Sequence, residues 1–288
     1  GLPAGVFHVL PGGPEVGEAL VEHPLVKMIS FTGSTAVGRK IGETCGRMLK
    51  KVALELGGNN AQIVLGDADL DIASSCGAWG SFLHQGQICM QTGRHLVHQD
   101  VAHEYIERLA ARARNLVCGD PHQEQVHLGP LINDTQARRV EDLINRSLEM
   151  GARLVAGGKR NGSFFEATVI ADVTPDMPVF AEEVFGPVAP VMVFNSDADA
   201  CSLVNQSPYG LAAAIHSGST ERALKIAGQL KVGMIHINDQ TVNNEFQVPF
   251  GGMGSSGNSG RFGGPANIEE FTTSQWVSVM AEGIQYPF

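Results

Sequence analysis

The cysteine most able to do chemistry is Cys89, which stands between two bulky apolar residues in the segment GQICM, just after a predicted helix. A thiol at such a boundary can be reached by a substrate. Neighbouring backbone amides can also stabilise a thiolate and an oxyanion formed beside it. A lone cysteine is more often inert, so this segment alone leaves both interpretations open.

A second reactive residue is Glu55, which interrupts the apolar run KVALEL and is followed by Gly57 and Gly58. An acid buried among apolar residues costs free energy, and burial raises its pKa toward the range of a general base. The local pattern favours a plainer interpretation, a solvent-facing position on an alternating strand. The segment alone does not decide between them.

The segment FTGSTAVG, residues 31–38, joins an apolar strand to an amphipathic helix. Gly33 permits a tight turn, and the hydroxyls of Ser34 and Thr35 can point at a phosphate together with the first amides of the helix. An ordinary strand-to-helix turn has the same composition, so phosphate binding is one of two interpretations.

The segment EEVFGPV, residues 182–188, places two acids before a phenylalanine at the entrance to a strand. An acid there could accept hydrogen bonds from ribose hydroxyls while the ring packs near a nicotinamide. The alternative is an acidic loop that merely leads into the strand.

Composition excludes several classes of protein. Thirty acidic against twenty basic residues give a formal net charge of -10, which disfavours nucleic acid and anionic membrane surfaces as partners. No apolar stretch has the length of a membrane helix. The ten histidines lack metal-site spacing, so no metal is expected.

The five cysteines are odd in number and have no CxxC spacing. Neither a disulfide framework nor a zinc site is indicated, and a reducing cytoplasm is expected. Cys45, Cys76, Cys118 and Cys201 are interpreted as inert.

The elements that must position these residues alternate between strands and helices, which predicts an α/β fold with parallel βαβ units. The predicted strands and helices are, in chain order, strand VFHVL, helix 15–23, strand VKMISF, helix 34–49, strand KVALEL, strand NAQIVLG, a helix through 73–84 that Asp69 or Asp71 caps, helices near 102–116 and 132–150, and strands near 165–171, 187–194, 211–217 and in GMIHIND. The glycine-rich run VPFGGMGSSGNSGRFGG is expected to be a crossover or a loop that lines a site, and FTTSQWVSVM an edge strand.

Five segments in this order resemble the aldehyde dehydrogenase superfamily: FTGSTAVG, LELGG, GQICM, EEVFGPV and PFGGMGSSG. The resemblance covers essentially the whole chain. The tail NDQTVNNEFQVPFGGMGSSGNSGRFGG resembles the benzaldehyde, salicylaldehyde and vanillin branch.

The resemblance implies a role for each matching residue. Cys89 matches the catalytic thiol and Glu55 the base that activates water. The implied cofactor contacts are Gly33, Ser34, Thr35, Gly38, Leu56, Gln136, Glu183 and Phe185.

The implied activity is oxidation of an aldehyde, aromatic in this branch, to a carboxylic acid with NAD or NADP. The resemblance also implies a partial Rossmann-like cofactor domain at 1–56, a catalytic α/β domain at 57–246, a crossover back to the cofactor domain at 247–270 and an oligomerisation strand at 271–288 of a homodimer or homotetramer. Family members are longer at the N-terminus, and the chain opens at Gly1 in a turn, so the sequence is interpreted as part of a longer enzyme. The Asn of the oxyanion hole and the Lys at the adenosine ribose have no match here.

Two other functions stay open at this stage. A cofactor-independent thiol esterase would use Cys89 and Glu55 without hydride transfer. A non-catalytic binding or structural protein would keep the fold and the edge strand with an unreactive Cys89.

Overall fold

The computed structural model describes residues 1–288 and has an α/β architecture. The helices are α1 (Pro14–Glu22), α2 (Thr35–Arg47), α3 (Leu70–Phe82), α4 (Ala102–Arg114), α5 (Asp134–Glu149), α6 (Pro178–Ala181), α7 (Asp197–Asn205), α8 (Thr220–Ala227) and α9 (Ala266–Phe271). The strands are β1 (Met28–Thr32), β2 (Lys51–Glu55), β3 (Asn60–Val64), β4 (Thr92–His98), β5 (Arg153–Ala156), β6 (Arg160–Asn161), β7 (Phe164–Phe165), β8 (Thr168–Ala171), β9 (Val188–Phe194), β10 (Tyr209–Gly210), β11 (Ala212–His216), β12 (Met234–Ile237) and β13 (Met253–Gly254).

A seven-stranded sheet in the order β12-β11-β3-β4-β9-β8-β5 forms the centre of the molecule. Its neighbouring strands are parallel except for the antiparallel pair β5 and β8. Alternate residues of β3 and β4 belong to two apolar cores on opposite faces, with α3 and α4 over one face and α5, α7 and α8 over the other. The α/β prediction is confirmed.

The first part of the chain forms a separate pair of parallel strands, β1 and β2, joined by α2. Ser34 caps α2 by accepting a hydrogen bond from the Val37 amide, and Asp69 caps α3 by accepting from two amides of its first turn. Both helix starts agree with the sequence prediction. Helix α3 ends at Phe82, before the predicted end at 84.

Two predicted strands are wrong for the single chain. Residues 6–10 form no strand and are exposed, and residues 272–280 form no strand, with Trp276 92% exposed. A strand exists only when its backbone groups pair with a neighbouring strand, and the chain offers no neighbour at either place. Local composition cannot supply that neighbour.

No helix combines the length and the apolar character needed to cross a bilayer.

Candidate active site

Glu55 and Cys89 line the same cavity, which has a volume of about 550 Å³. Glu55 is the last residue of β2, where it pairs with Thr32 at the end of β1. Cys89 lies in the loop between α3 and β4. The other lining residues are Ser30, Thr32, Asn244, Glu245, Phe246, Val248, Phe250, Phe262, Gly263, Asn267 and Phe271. Ends of neighbouring strands and the glycine-rich segment therefore meet around the thiol.

The Glu55 carboxyl is only 7% exposed, and neither of its oxygens has a hydrogen-bond partner. Burial raises its pKa from 4.5 to about 7, although the positive charge of Arg261 lowers it in part. The solvent-facing interpretation of this residue is therefore wrong. An unpartnered buried carboxyl with this pKa can exchange protons near neutral pH.

The loop that carries Cys89 begins with a left-handed turn. His84, Gln85 and Gly86 have φ values of 50°, 56° and 68°. A residue with a side chain loses about 1–2 kcal/mol in this conformation, so the surrounding contacts must stabilise the turn. At Gly86 a Cβ atom would lie 2.1 Å from the carbonyl oxygen of Gly186, which explains the glycine. The turn is thereby packed tightly against the 182–188 segment.

The Cys89 thiol is largely enclosed, and burial raises its pKa to about 11, with the charges of Glu55 and Glu183 acting in the same direction. The backbone amides of Met90 and Cys89 act in the opposite direction and lower the pKa. The two carboxylates therefore disfavour a negative charge on the sulfur, and the neighbouring backbone favours it.

Gly57 and Gly58 leave space for two neighbouring groups. A Cβ atom at Gly57 would lie 2.3 Å from a carboxylate oxygen of Glu183, and one at Gly58 would lie 2.3 Å from the carbonyl oxygen of Cys89. The Gly58 amide also donates to Oε1 of Glu183 at 2.8 Å. The paired glycines thus bring the 182–188 segment and the Cys89 loop against the end of β2.

The 182–188 segment is held by side chains of α5. Gln136 donates to the carbonyl oxygens of Val184 and Phe185 at 3.1 and 2.9 Å, and Arg139 donates to those of Glu183 and Val184, both at 2.9 Å. These contacts fix Phe185, which is left-handed with a φ of 52°. Burial raises the pKa of Glu183, and its bond from Gly58 and the charge of Arg139 oppose that rise.

The turn between β1 and α2 lies next to the cavity. The Gly33 amide donates to the carbonyl oxygen of Glu55 at 3.0 Å, and Thr35 donates its hydroxyl to the carbonyl oxygen of Ser255 at 2.8 Å. At Gly38 a Cβ atom would lie 2.4 Å from the Leu56 side chain, so this glycine lets α2 approach β2. The Thr35 hydroxyl is therefore used within the protein.

The aldehyde dehydrogenase family model matches residues 1–277 of the chain. The chain belongs to the aldehyde dehydrogenase family. Among curated relatives, it is 61% identical to the NAD(+) benzaldehyde dehydrogenase of Pseudomonas putida over 288 residues, which are 100% of this chain and 59% of that protein. It is 53% identical to the vanillin dehydrogenase of an Amycolatopsis species, covering 100% of this chain and 60% of that protein. The chain thus spans about three fifths of the length of these relatives.

Solved structures of other family members have the same fold. A salicylaldehyde dehydrogenase of Pseudomonas putida G7 complexed with salicylaldehyde superposes with a TM-score of 0.92 at 38% identity, covering 96% of this chain and 57% of that one. An NAD-dependent aldehyde dehydrogenase of Sinorhizobium meliloti gives a TM-score of 0.95 at 36% identity, covering 100% of this chain and 58% of that one. The fold expected from the family resemblance is confirmed.

Of the ten site residues that the family resemblance implies, the cavity brings together two, Glu55 and Cys89. Glu183 reaches the same region through Gly58. Leu56 is buried against α2, and Gln136 uses its side chain to hold the 182–188 segment. Their roles toward a cofactor stay predictions.

Sequence reasoning missed several polar residues around the thiol. Asn60 and Thr241 hold backbone carbonyls of the Cys89 loop, and Arg261 provides the positive charge that acts on Glu55. The position of Asn60 two residues after the end of ELGG was the one available signal. The two others come from distant parts of the chain. No group of three or more His, Cys, Asp or Glu side chains has the arrangement of a metal site.

Proposed function

We propose that this chain carries the nucleophile and the base of an NAD(P)-dependent dehydrogenase that oxidises aromatic aldehydes to carboxylic acids. The observation that carries the proposal is the pairing, in one cavity, of an enclosed thiol with a buried, unpartnered carboxyl. A buried carboxyl without partners is costly, and such groups are concentrated at functional sites.

The residues support a two-stage reaction. The Cys89 thiolate attacks the aldehyde carbon, which forms a carbon–sulfur bond and a negatively charged oxygen. A nicotinamide, when bound, would supply the hydride acceptor, and loss of the hydride from the adduct carbon would leave a thioester on Cys89. Glu55 then takes a proton from a water molecule that attacks the thioester carbon. The carbon–sulfur bond breaks, the acid product leaves and the Cys89 thiolate is restored, while the proton that Glu55 took from water passes to solvent.

Features of the first part of the chain support dinucleotide binding there. A groove of about 680 Å³ lies between α1 and α2 beside β1, and its lining includes the apolar residues Val21, Val26 and Ile41. The N-terminus of α2 provides amides without intrahelical partners, and the hydroxyl proton of Ser34 stays free because its oxygen only accepts at the cap. Glu183 accepts from Gly58 with one carboxylate oxygen, which leaves the other for a ribose hydroxyl. Gly33 bonds the end of β2, Gly38 lets α2 approach Leu56, and Phe185 turns the backbone next to Glu183.

Aromatic side chains favour an aromatic aldehyde as the substrate. Four phenylalanines, Phe246, Phe250, Phe262 and Phe271, line the cavity that contains Cys89. Flat rings pack well against such walls in offset or edge-on arrangements. The names of the benzaldehyde, vanillin and salicylaldehyde relatives point to the same class of substrate.

The proposal extends to domain organisation and assembly. The 247–270 segment returns to β2, since Leu56 donates its amide to the Ser256 carbonyl at 2.9 Å and Leu54 to Oδ1 of Asn258 at 2.9 Å. These contacts support a cofactor domain at 1–56, a catalytic domain at 57–246 and a crossover between them. The exposed apolar tail at 271–288 supports pairing with a second copy in a homodimer or homotetramer.

The test compares this chain with a form extended at its N-terminus to the length of the relatives. Each is assayed with benzaldehyde and with NAD or NADP by the absorbance of the reduced nicotinamide, as wild type and as Cys89→Ala. Cys118→Ala is the matched control, because that thiol lies outside the cavity. We expect reduction that Cys89→Ala abolishes and Cys118→Ala retains.

Other results would replace the proposal. Hydrolysis of an aromatic ester that needs Cys89 but no nicotinamide, without any aldehyde oxidation, would identify a thiol esterase. No turnover of either substrate in either form would leave a structural or binding protein of the same fold.

A further inference from the structure

A single amide side chain holds the backbone immediately after the nucleophile. Asn60, the first residue of β3, is 2% exposed. Its Nδ2 donates to the carbonyl oxygens of Cys89 at 2.8 Å and Gln91 at 2.7 Å, and its Oδ1 accepts from the Ala212 amide at 2.9 Å. Both protons of the amide group are used, so these bonds fix the orientation of the side chain.

The bond to the Cys89 carbonyl determines where the next amide points. In a trans peptide the C=O and the following N–H point in opposite directions. With the Cys89 carbonyl directed toward Asn60, the Met90 N–H is directed away from Asn60. The Met90 backbone lowers the pKa of the Cys89 thiol, which agrees with this orientation. Gly58 makes this arrangement possible, since any Cβ there would lie 2.3 Å from the same carbonyl oxygen.

The following peptide is held independently. Thr241 donates its hydroxyl to the Met90 carbonyl at 2.6 Å and also bonds Oγ1 of Thr92 at 2.8 Å. The loop as a whole therefore has a second anchor. Removing the Asn60 side chain releases the carbonyls of Cys89 and Gln91, while Thr241 still holds the carbonyl of Met90.

We propose that Asn60 is a positioning residue, which holds the 89–90 peptide so that the Met90 amide faces the sulfur of Cys89. Negative charge develops there when the thiol ionises and when an oxyanion forms beside it, and an oriented N–H donor stabilises that charge. The inference rests on the proposed function for its catalytic meaning. The orientation itself can be tested without any turnover.

The test measures the rate at which iodoacetamide alkylates Cys89 at pH 9, followed on the Cys89 peptide by mass spectrometry. Asn60→Ala is compared with wild type and with Asn205→Ala. Asn205 is a matched control, because it also bridges a carbonyl and an amide, those of Gln229 and Lys231 at 2.9 and 2.8 Å, far along the chain from Cys89. We expect alkylation to be about tenfold slower in Asn60→Ala, since one hydrogen bond to an anion is lost, and unchanged in Asn205→Ala.

The sign of the effect separates positioning from a purely structural role. If Asn60 only stabilised the fold, its loss would loosen the loop and make the enclosed thiol react faster, as labelling of the buried Cys45 and Cys201 would also show. Labelling of Cys89 at the wild-type rate or faster would overturn the inference. If circular dichroism shows Asn60→Ala to be unfolded, Asn60→Ser is used instead, because serine keeps one hydrogen-bond donor. Slower labelling of Cys89 than in the wild type would again support the inference, and an equal or faster rate would overturn it.

Kinetics of the extended enzyme provide a second measurement. We expect Asn60→Ala to lower kcat about tenfold with little change in KM, because the lost interaction acts on developing charge. Slower alkylation without aldehyde oxidation in the wild type would refute the proposed function alone. Normal oxidation with unchanged alkylation would refute this inference alone.

Discussion

Replacement of Glu55 by glutamine removes a buried charge that has no partner, so we expect the variant to be more stable than the wild type at alkaline pH. Both carboxylate oxygens of Glu55 lack hydrogen bonds, and burial raises the pKa of the group from 4.5 to about 7. At about 1.4 kcal/mol for each pKa unit, ionisation of Glu55 costs the folded state about 3 kcal/mol.

The pH window follows from the sign of that shift. The folded state binds the proton of Glu55 more tightly than the unfolded state, so its contribution to stability is fully present below pH 4.5 and is lost as the pH rises to about 7. Glutamine resembles the neutral acid at every pH. We therefore expect Glu55→Gln and wild type to have similar stability near pH 4.5 and to differ by up to about 3 kcal/mol at pH 8.

Urea unfolding of both proteins at pH 4.5, 6 and 8, followed by circular dichroism, measures this difference. Glu43→Gln is the matched control, because Glu43 is exposed on α2 and forms a surface ion pair with Arg47, with an expected effect within about 0.5 kcal/mol. A stability difference between Glu55→Gln and wild type that is independent of pH, or a less stable variant at pH 8, would refute the assignment of Glu55 as a buried unpartnered acid.

Gly58→Ala places a Cβ against the carbonyl of Cys89, so on the proposed function we expect kcat of the N-terminally extended form to fall at least about 100-fold. Gly46→Ala, in open space on α2, should retain activity and gain about 0.5 kcal/mol in urea unfolding. Equal activity of the two variants would contradict the role of Gly58. A further prediction concerns two buried histidines: burial lowers the pKa values of His95 and His216 to about 3 and 4. On acidification the unfolded state therefore takes up protons on these histidines at a higher pH than the folded state does. The free energy of unfolding should therefore fall below pH 6.5, by up to about 1.4 kcal/mol per pH unit for each histidine. The fall should be clearest in Glu55→Gln, because the Glu55 carboxyl changes stability in the opposite direction over this pH range. A flat profile between pH 6.5 and 4.5 in that variant would refute the buried neutral state of the two histidines.

Local sequence patterns predicted elements whose signals lie within the element. The cap at Asp69 is an example, because a side chain can accept from amides two or three residues ahead without help from the rest of the fold. The alternation of strands and helices was likewise sufficient for an α/β fold. The family resemblance, not the local pattern, assigned roles to Cys89 and Glu55.

Strand predictions failed where pairing decides the outcome. Residues 6–10 and 272–280 have the apolar or β-branched composition of strands, yet neither has a neighbour within the chain. The pattern around Glu55 failed for a related reason. A single acid in an alternating run looks exposed, but the 247–270 segment and the Cys89 loop close over it from distant parts of the chain.

The sequence by itself determined the chemistry that is available: a thiol, an acid, a glycine-rich turn and the order in which they occur. Only the tertiary structure decided how those groups behave. Glu55 acquires its pKa of about 7 from burial, and the carbonyl of Cys89 is held by Asn60, which lies 29 positions from Cys89 along the chain. Burial and orientation depend on contacts between segments that are remote in sequence, which residue types and spacing do not encode locally.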